Sequence, residues 1–265
     1  MISSTKNNII KQIIKLKTKK EREKTGLAII EGERFIDLIP ENTKIEYYVF
    51  SQSYANKNNV FEKFKNYKIY IVSDDIFKKL SETVSPQGIM AICNIKKYSF
   101  KDLDIKNNSF FVILDRVMDP GNLGAIIRSA DALGVSALIL SKGCVDLYND
   151  KVLRSTMGSL FNIPIIENCE IDEFLEKLKK ENFNIICTHL KGAKSPFEIN
   201  FSGKIALIIG NEANGVLDKY VNLSNEIVKI PMIGKAESMN VSIASSIIFY
   251  EALSQKFKGE IFCKE

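Results

Sequence analysis

The sequence has a single histidine, His189, in 265 residues, and its cysteines include no pair spaced as Cys-x-x-Cys. Protein zinc sites draw on clustered histidine and cysteine, and a Ser-His-Asp triad would have to run through this one imidazole. That residue lies in Cys187-Thr188-His189-Leu190, which reads as a strand end. Metal-assisted and triad chemistry are both disfavoured, and no metal is expected. The five cysteines, Cys93, Cys144, Cys169, Cys187 and Cys263, are an odd number, which fits reduced thiols better than a disulfide framework. Long hydrophobic runs are also missing. The longest, such as Phe110 to Leu114 and Ile205 to Ile209, have strand length, well short of the roughly 18 to 20 residues a bilayer span needs. The first twenty residues contain no continuous apolar segment of a secretory signal. The expectation is a cytoplasmic protein with no membrane partner.

What is present is a chain with 45% hydrophobic and 26% charged residues, long enough for two ordinary domains. The net charge of +5 is unevenly spread. Residues 1 to 24 hold eight basic and two acidic residues, whereas the remaining chain holds 29 basic and 30 acidic. A basic N-terminal segment suits contact with a phosphate backbone. The same residues also fit a solvated lysine face on an amphipathic helix with Ile10, Ile13 and Ile14 turned inward. A transit peptide fits less well, because such segments favour arginine.

Along the chain, strand-like runs at Tyr47 to Phe50, Ile69 to Val72 and Gly88 to Cys93, with helical stretches between the earlier ones, predict a small α/β unit over residues 1–95. A helix is expected from Glu33 to about Ile39. Residues 96–108 are polar and dense in Lys, Asp and Asn, which marks a linker. A second domain is expected over 109–265. Its strand-like runs are Phe110 to Leu114, Ala137 to Leu140, Asn184 to Cys187, Lys204 to Ile209 and Glu226 to Ile230. Helical stretches fall at about Leu123 to Leu133, Asn149 to Leu160, Ile171 to Lys180 and Ser238 to Gln255. Continuous apolar strands separated by helices predict a parallel sheet covered on both faces, with ligands bound beyond the carboxyl ends of its strands.

Three polar, glycine-bearing clusters fall at such ends. In the first, Asp119-Pro120-Gly121 makes a turn, Asn122 is a candidate cap, and Arg128 stands one helical turn after Gly124. A guanidinium fork there suits phosphate or carboxylate recognition. The second, Gly210-Asn211-Glu212-Ala213-Asn214-Gly215, places an acid between two glycines. It is neither a dinucleotide fingerprint nor a P-loop. The third runs Ile230-Pro231-Met232 into Ser238-Met239-Asn240-Val241-Ser242, where Ser238 is a candidate cap and Asn240 can hold a neighbouring loop or a ligand amide.

In order and spacing these clusters resemble the SpoU/TrmH family of RNA ribose 2'-O-methyltransferases, of the SPOUT class, over Phe111 to about Ala252. The marks are Asn122-x-Gly124-Ala125-x-x-Arg128, Gly210-Asn211-Glu212-x-x-Gly215, and the Ile230-to-Ser242 segment. Departures are small: Ala213 and Asn214 stand where relatives often have a further glycine, and Met239 where leucine is common. Residues 1–95 are similar to the small α/β RNA substrate-binding domain that many members place first.

The resemblance implies methyl transfer from S-adenosylmethionine to a ribose 2'-hydroxyl of RNA, in a homodimer whose catalytic domains carry a trefoil knot. It assigns cofactor contacts to Gly210, Ile230 and Met239, with Thr188 and His189 as a further wall. It assigns the reaction to Arg128, helped by Asn122, Glu212, Ser238 and Asn240. A guanidinium stays protonated in proteins, which favours a positioning role over a base. Ribosomal RNA of the 23S type is the expected target, with transfer RNA as the alternative within the class. A noncatalytic RNA-binding protein that keeps the fold is the alternative from another class.

Overall fold

The computed structural model describes residues 1–192 and 194–257. Cys263 and the end of the expected second domain lie outside the described residues. The chain divides into two compact units, one of residues 1–96 with 148–154, the other of residues 97–147 with the chain from 155 onward.

The first unit contains α1 (Asn8–Leu16), α2 (Lys19–Thr25), β1 (Leu27–Glu31), α3 (Glu33–Ile36), β2 (Ile45–Ser51), α4 (Gln52–Lys57), α5 (Val60–Lys63), β3 (Ile69–Val72), α6 (Asp74–Leu80) and β4 (Ile89–Asn94). Its sheet has the order β1-β4-β2-β3, with β2 and β3 parallel and β4 antiparallel to both its neighbours. The basic segment forms two helices rather than one. The Thr18 hydroxyl donates to the Lys15 carbonyl and accepts from the Glu21 N–H, closing α1 and capping α2. Ile10, Ile13 and Leu16 pack against Val49, Val72, Phe77 and Met90. Ile14, expected inward, is 42% exposed, because a 3.6-residue period places Leu16 on the buried stripe instead. Arg22 is buried, with Nη1 donating to the Leu16 carbonyl at 2.6 Å. The helix expected to reach Ile39 ends at Ile36, ahead of Pro40, which disfavours helix in the residue before it.

The second unit and its flanks contain β5 (Phe110–Leu114), α7 (Pro120–Ala132), β6 (Ala137–Ser141), α8 (Asp150–Thr156), β7 (Ile165–Cys169), α9 (Ile171–Lys180), β8 (Asn184–Thr188), β9 (Ile205–Ile209), α10 (Asp218–Leu223), β10 (Glu226–Val228) and α11 (Val241–Phe257). Its six strands are all parallel, in the order β10-β8-β9-β5-β6-β7. β5, β8 and β9 are wholly or mostly buried, as continuous apolar runs require. β7 has no continuous apolar run, because Glu167 and Asn168 interrupt it; it is a sheet edge, half-exposed at its end. The helix expected over 149–160 stops at Thr156, where Met157 (φ 50°) and Gly158 (φ 91°) turn left-handed into a short 3-10 turn at Ser159–Phe161.

Residues 96–108, expected as a linker, are held down by four side chains their polar composition hides. Leu103 is buried in the second core, Tyr98 and Ile105 pack on it, and Phe100 meets the Phe174 ring edge-on at 5.4 Å. A capping box between Ser99 and Asp102 fixes the turn that carries Phe100.

Candidate active site

Register aligns the carboxyl ends of the central strands: Leu114 pairs with Ile209, Ile208 with Cys187, and Thr188 with Val228. The loops after β5, β8, β9 and β10 therefore leave one edge of the sheet side by side. All three sequence clusters sit on these loops.

The first loop is anchored by residues the sequence reading did not single out. Asp115, almost fully buried, receives both Nε and Nη2 of Arg116 at 2.9 Å and also accepts the Leu217 N–H at 3.1 Å. Arg116 holds a left-handed φ of 58°, donates to the Gly215 carbonyl at 3.3 Å, and its own carbonyl accepts from Asn211 Nδ2 at 2.8 Å. The ends of β5 and of the 211–217 turn are thereby fastened together. Gly210 serves the same join. A Cβ there would stand 2.1 Å from the Gly215 carbonyl carbon and the Val216 nitrogen, so the backbone it admits is the chain's own turn.

Glu212 collects four donors: the N–H groups of Met118 at 3.2 Å and Asp119 at 3.1 Å, Asn122 Nδ2 at 3.0 Å and Asn211 Nδ2 at 3.4 Å. Burial pushes its carboxyl upward, but the bonds from Asn122 and from backbone N–H groups outweigh that and hold it below the usual range. Asn122 Oδ1 in turn accepts from Asn240 Nδ2 at 2.9 Å. Three loops, far apart in sequence, are joined through Glu212, Asn122 and Asn240. Among the described residues, the exposed Arg128 guanidinium on α7 has no hydrogen-bond or ion-pair partner and points to no internal use.

Two capping expectations are corrected. Asp119, not Asn122, caps α7, accepting the Asn122 N–H at 2.8 Å, which frees the Asn122 side chain for Glu212. Asn240, not Ser238, caps α11, accepting from the N–H groups of Ser242 at 2.9 Å and Ile243 at 3.4 Å; Ser238 lies exposed on the approach. Gly124 is buried with Leu123, Ile126, Ile127 and Ala130, so its missing side chain serves helix packing.

On the neighbouring loops, Thr188 donates its hydroxyl to the Ile208 carbonyl at 3.1 Å, and His189 Nδ1 accepts the Lys191 N–H at 3.2 Å. Both are half-buried. Ile230 is half-buried and Met239 is 39% exposed; among the described residues neither has a partner for its main-chain N–H or C=O. Cys187 beneath them is a filler, its thiol pushed up to about 12 by burial. An open cavity of about 720 Å³ is lined by Ala125, Phe197, Ile230 and Pro231 and by Ile243, Ile247 and Tyr250 of α11.

Residues 109–250 match the profile of the SpoU rRNA Methylase family, and residues 7–91 that of the MRM3-like substrate binding domain. The chain belongs to the SpoU rRNA methylase family. It is an S-adenosylmethionine-dependent RNA 2'-O-methyltransferase, built as a small substrate-binding domain followed by a parallel-sheet SpoU methylase domain. The chain is 34% identical over 249 residues to the 23S rRNA (guanosine(2553)-2'-O)-methyltransferase RlmP of Bacillus subtilis, covering 94% of this chain and 97% of that one. The crystal structure of AdoMet-bound rRNA methyltransferase from Sinorhizobium meliloti superposes with a TM-score of 0.84 at 30% identity, covering 95% and 96% of the two chains. A structure solved for the 2-OH methylation of C/U34 on tRNA matches with a TM-score of 0.53 at 26% identity, covering 57% of this chain and 97% of that one.

Proposed function

We propose that this SpoU enzyme methylates a ribose 2'-hydroxyl of 23S-type ribosomal RNA, with Arg128 as the residue that carries the reaction. The observation that carries the site assignment is the chain Glu212–Asn122–Asn240, which ties the loops after β9, β5 and β10 together at the sheet edge where α7, the helix that carries Arg128, begins. The ribosomal target rests on the first unit. The relative named for 23S rRNA matches along nearly the whole chain, whereas the structure solved for tRNA methylation covers 57% of it.

The residues present fit the cofactor. The main-chain groups of Ile230 and Met239, without a partner among the described residues, suit the edges of an adenine and an amino acid, and the exposed Met239 offers an apolar cover. Gly210, Ile230 and Met239 would hold it, with Thr188 and His189 as a wall. When bound, S-adenosylmethionine supplies a methyl group already activated by its sulfonium, so the chain's task is to bring the hydroxyl into line. Arg128, without a partner among the described residues, grips the phosphate beside the target ribose and polarises the hydroxyl, whose proton leaves to water. Glu212 keeps its charge and spends it on the β5 loop, so it positions Asn122 rather than taking the proton. Asn240 completes that frame and fixes the start of α11; Ser238 stands on the loop that approaches it.

The homodimer belongs to the same reading. Phe197, Ile243 and Tyr250, each more than half exposed, border one apolar groove with Ile247, and a second copy of the chain is the partner that would cover it. The trefoil knot is proposed for the C-terminal segment on the family resemblance. A cytoplasmic setting is supported by the four free cysteines among the described residues.

The test is transfer of labelled methyl from S-adenosylmethionine to ribosomal and transfer RNA, separated from cells lacking the gene, with Arg128→Ala beside the wild type. The expected result is a 2'-O-methylnucleoside in one ribosomal species, lost with the variant while cofactor affinity holds. Label in transfer RNA alone overturns the target; an unchanged variant rate overturns the role of Arg128. No label, with RNA bound but no cofactor, returns the noncatalytic reading.

A further inference from the structure

Arg116, two residues after β5, stands outside the set that carries methyl transfer, yet its main chain and its guanidinium are both committed to other loops. Its N–H donates to the Ser141 hydroxyl at 2.9 Å, and its carbonyl accepts from Asn211 Nδ2 at 2.8 Å. Nε and Nη2 reach the two oxygens of Asp115 at 2.9 Å, and Nη2 also donates to the Gly215 carbonyl at 3.3 Å. One residue holds three segments: the end of β5, the 211–217 turn and the loop after β6. That last loop is shaped to receive it. A Cβ on Gly143 would stand 3.3 Å from Arg116 Cγ, and the Val145 N–H donates to the Val117 carbonyl at 2.9 Å.

The φ of 58° at Arg116 lies in the left-handed region, which is unfavourable for any residue with a Cβ. Such a conformation persists where its surroundings over-determine it, and here five hydrogen bonds do so. Its effect is a change of chain direction. Two and three residues further on, the N–H groups of Met118 and Asp119 turn onto Glu212. The Asn211 Nδ2 that Arg116 accepts also reaches Glu212 Oε2 at 3.4 Å. Of the donors on Glu212, only Asn122 is placed independently of this turn, and Asn122 is the group that Glu212 holds.

We propose that Arg116 is a positioning residue for methyl transfer: its left-handed turn and its fork on Asp115 and Gly215 set where Glu212 meets the β5 loop, and so where Asn122 stands. This rests on the reading of Glu212, Asn122 and Asn240 as the frame of the site. It adds the residue that aligns two loops of that frame while touching neither cofactor nor RNA.

The experiment compares the full-length wild type with Arg116→Lys, Ser141→Ala, Glu212→Gln and the double variant Arg116→Lys with Glu212→Gln. Lysine keeps a cation beside the buried Asp115, but one ammonium cannot copy a planar fork that spans Asp115 and Gly215. Ser141→Ala removes the acceptor of the Arg116 N–H and leaves both ions in place. Transfer of labelled methyl is measured to unmodified ribosomal RNA from cells lacking the gene, or to their transfer RNA if the wild type labels only that. Each protein gives kcat, KM for the RNA, S-adenosylmethionine affinity and a thermal melt. Misalignment predicts a kcat lowered roughly tenfold in Arg116→Lys and about threefold in Ser141→Ala, with KM and cofactor affinity within about threefold of wild type. On the Glu212→Gln background Arg116→Lys adds no further loss, because the two residues act as one unit. Losses that multiply in the double variant overturn the proposal, since Arg116 would then act independently of Glu212. Wild-type kcat in both Arg116→Lys and Ser141→Ala overturns it alone, while a slow Glu212→Gln upholds the frame. A wild-type rate in Glu212→Gln overturns the frame and the proposal with it. A kcat that recovers when the assay is cooled below a lowered Tm marks a folding role and overturns the proposal too.

Discussion

Replacing Glu212 by Gln tests whether the site is a frame held by one carboxylate. Both oxygens are in use: Oε1 takes the Asp119 N–H and Asn122 Nδ2, and Oε2 takes the Met118 N–H and Asn211 Nδ2. Glutamine keeps one acceptor oxygen and turns an NH2 toward two donors, so two of the four bonds are lost and the charge with them. Bonds to a charged acceptor contribute about 1.5–3 kcal/mol each when dry. Here the side chain is open to water, which replaces part of what is lost, and about 1 kcal/mol is the expected net cost. In a chain of this size that lowers Tm by about 2–4 °C. The catalytic effect is larger, because misplacing Asn122 and the 118–119 backbone spoils alignment; kcat should fall about 10- to 100-fold while S-adenosylmethionine affinity stays within about threefold. The pH dependence has a definite sign. The folded carboxyl lies below its ordinary value of 4.5, so its contribution is complete above that value and fades as pH falls through the lower folded one. Wild-type stability should therefore carry an acid-side loss that Glu212→Gln reduces, with no slope from this group near neutrality. Stopped-time methyl transfer and thermal melts across pH measure both. A variant with wild-type kcat and Tm would refute the frame.

Gly210→Ala should fail to hold the 211–217 turn, since its Cβ would sit 2.1 Å from backbone atoms that have no room to move; loss of cofactor binding by calorimetry, with a lower Tm, is expected. Lys256 is pushed down to about 8 by burial, although Nζ donates to the Asn108 carbonyl at 2.6 Å. The unfolded chain binds that proton up to about 10.5, so stability should rise with pH between the two values, and Lys256→Met should flatten this slope in denaturant titrations. Deleting residues 1–24 would remove Ile10, Ile13 and Leu16 from the core, so the basic face is better tested by Lys11→Glu, Lys15→Glu and Lys20→Glu together. RNA affinity should fall and its salt slope shrink by roughly two to three, as each lost phosphate contact dictates; an unchanged slope would leave these lysines as a solvated face.

The strands of the second domain were readable because each is a run of apolar residues buried on both faces, and β5 was read to the residue. Local chemistry was less secure where two neighbours could do the same job. Asp119 and Asn122, three residues apart, are both good caps, as are Ser238 and Asn240, two apart, and only the fold decides which side chain stays on its own backbone. In each pair the asparagine's outward role matters most. Asn122 leaves its cap to reach Glu212, and Asn240 caps with its oxygen while its nitrogen reaches Asn122.

What periodicity could not reveal is the pairing across 90 to 118 residues of chain that makes the site one object. Resemblance named candidate residues but not the bonds among them, and it assigned no role to Asp115 or Arg116. Yet those two had a local signal. A carboxylate directly after a buried strand, followed by arginine, must either face water or find donors, and Asp115 is almost fully buried at the sheet edge. Its donors are Arg116 and the backbone of Leu217, about a hundred residues on. A buried acid at a strand end is thus a demand for a distant loop, and the loop it fixes here is the one that carries Glu212. The acid proposed to order the site's frame thus sits on a turn fastened by a second acid, buried at the end of β5.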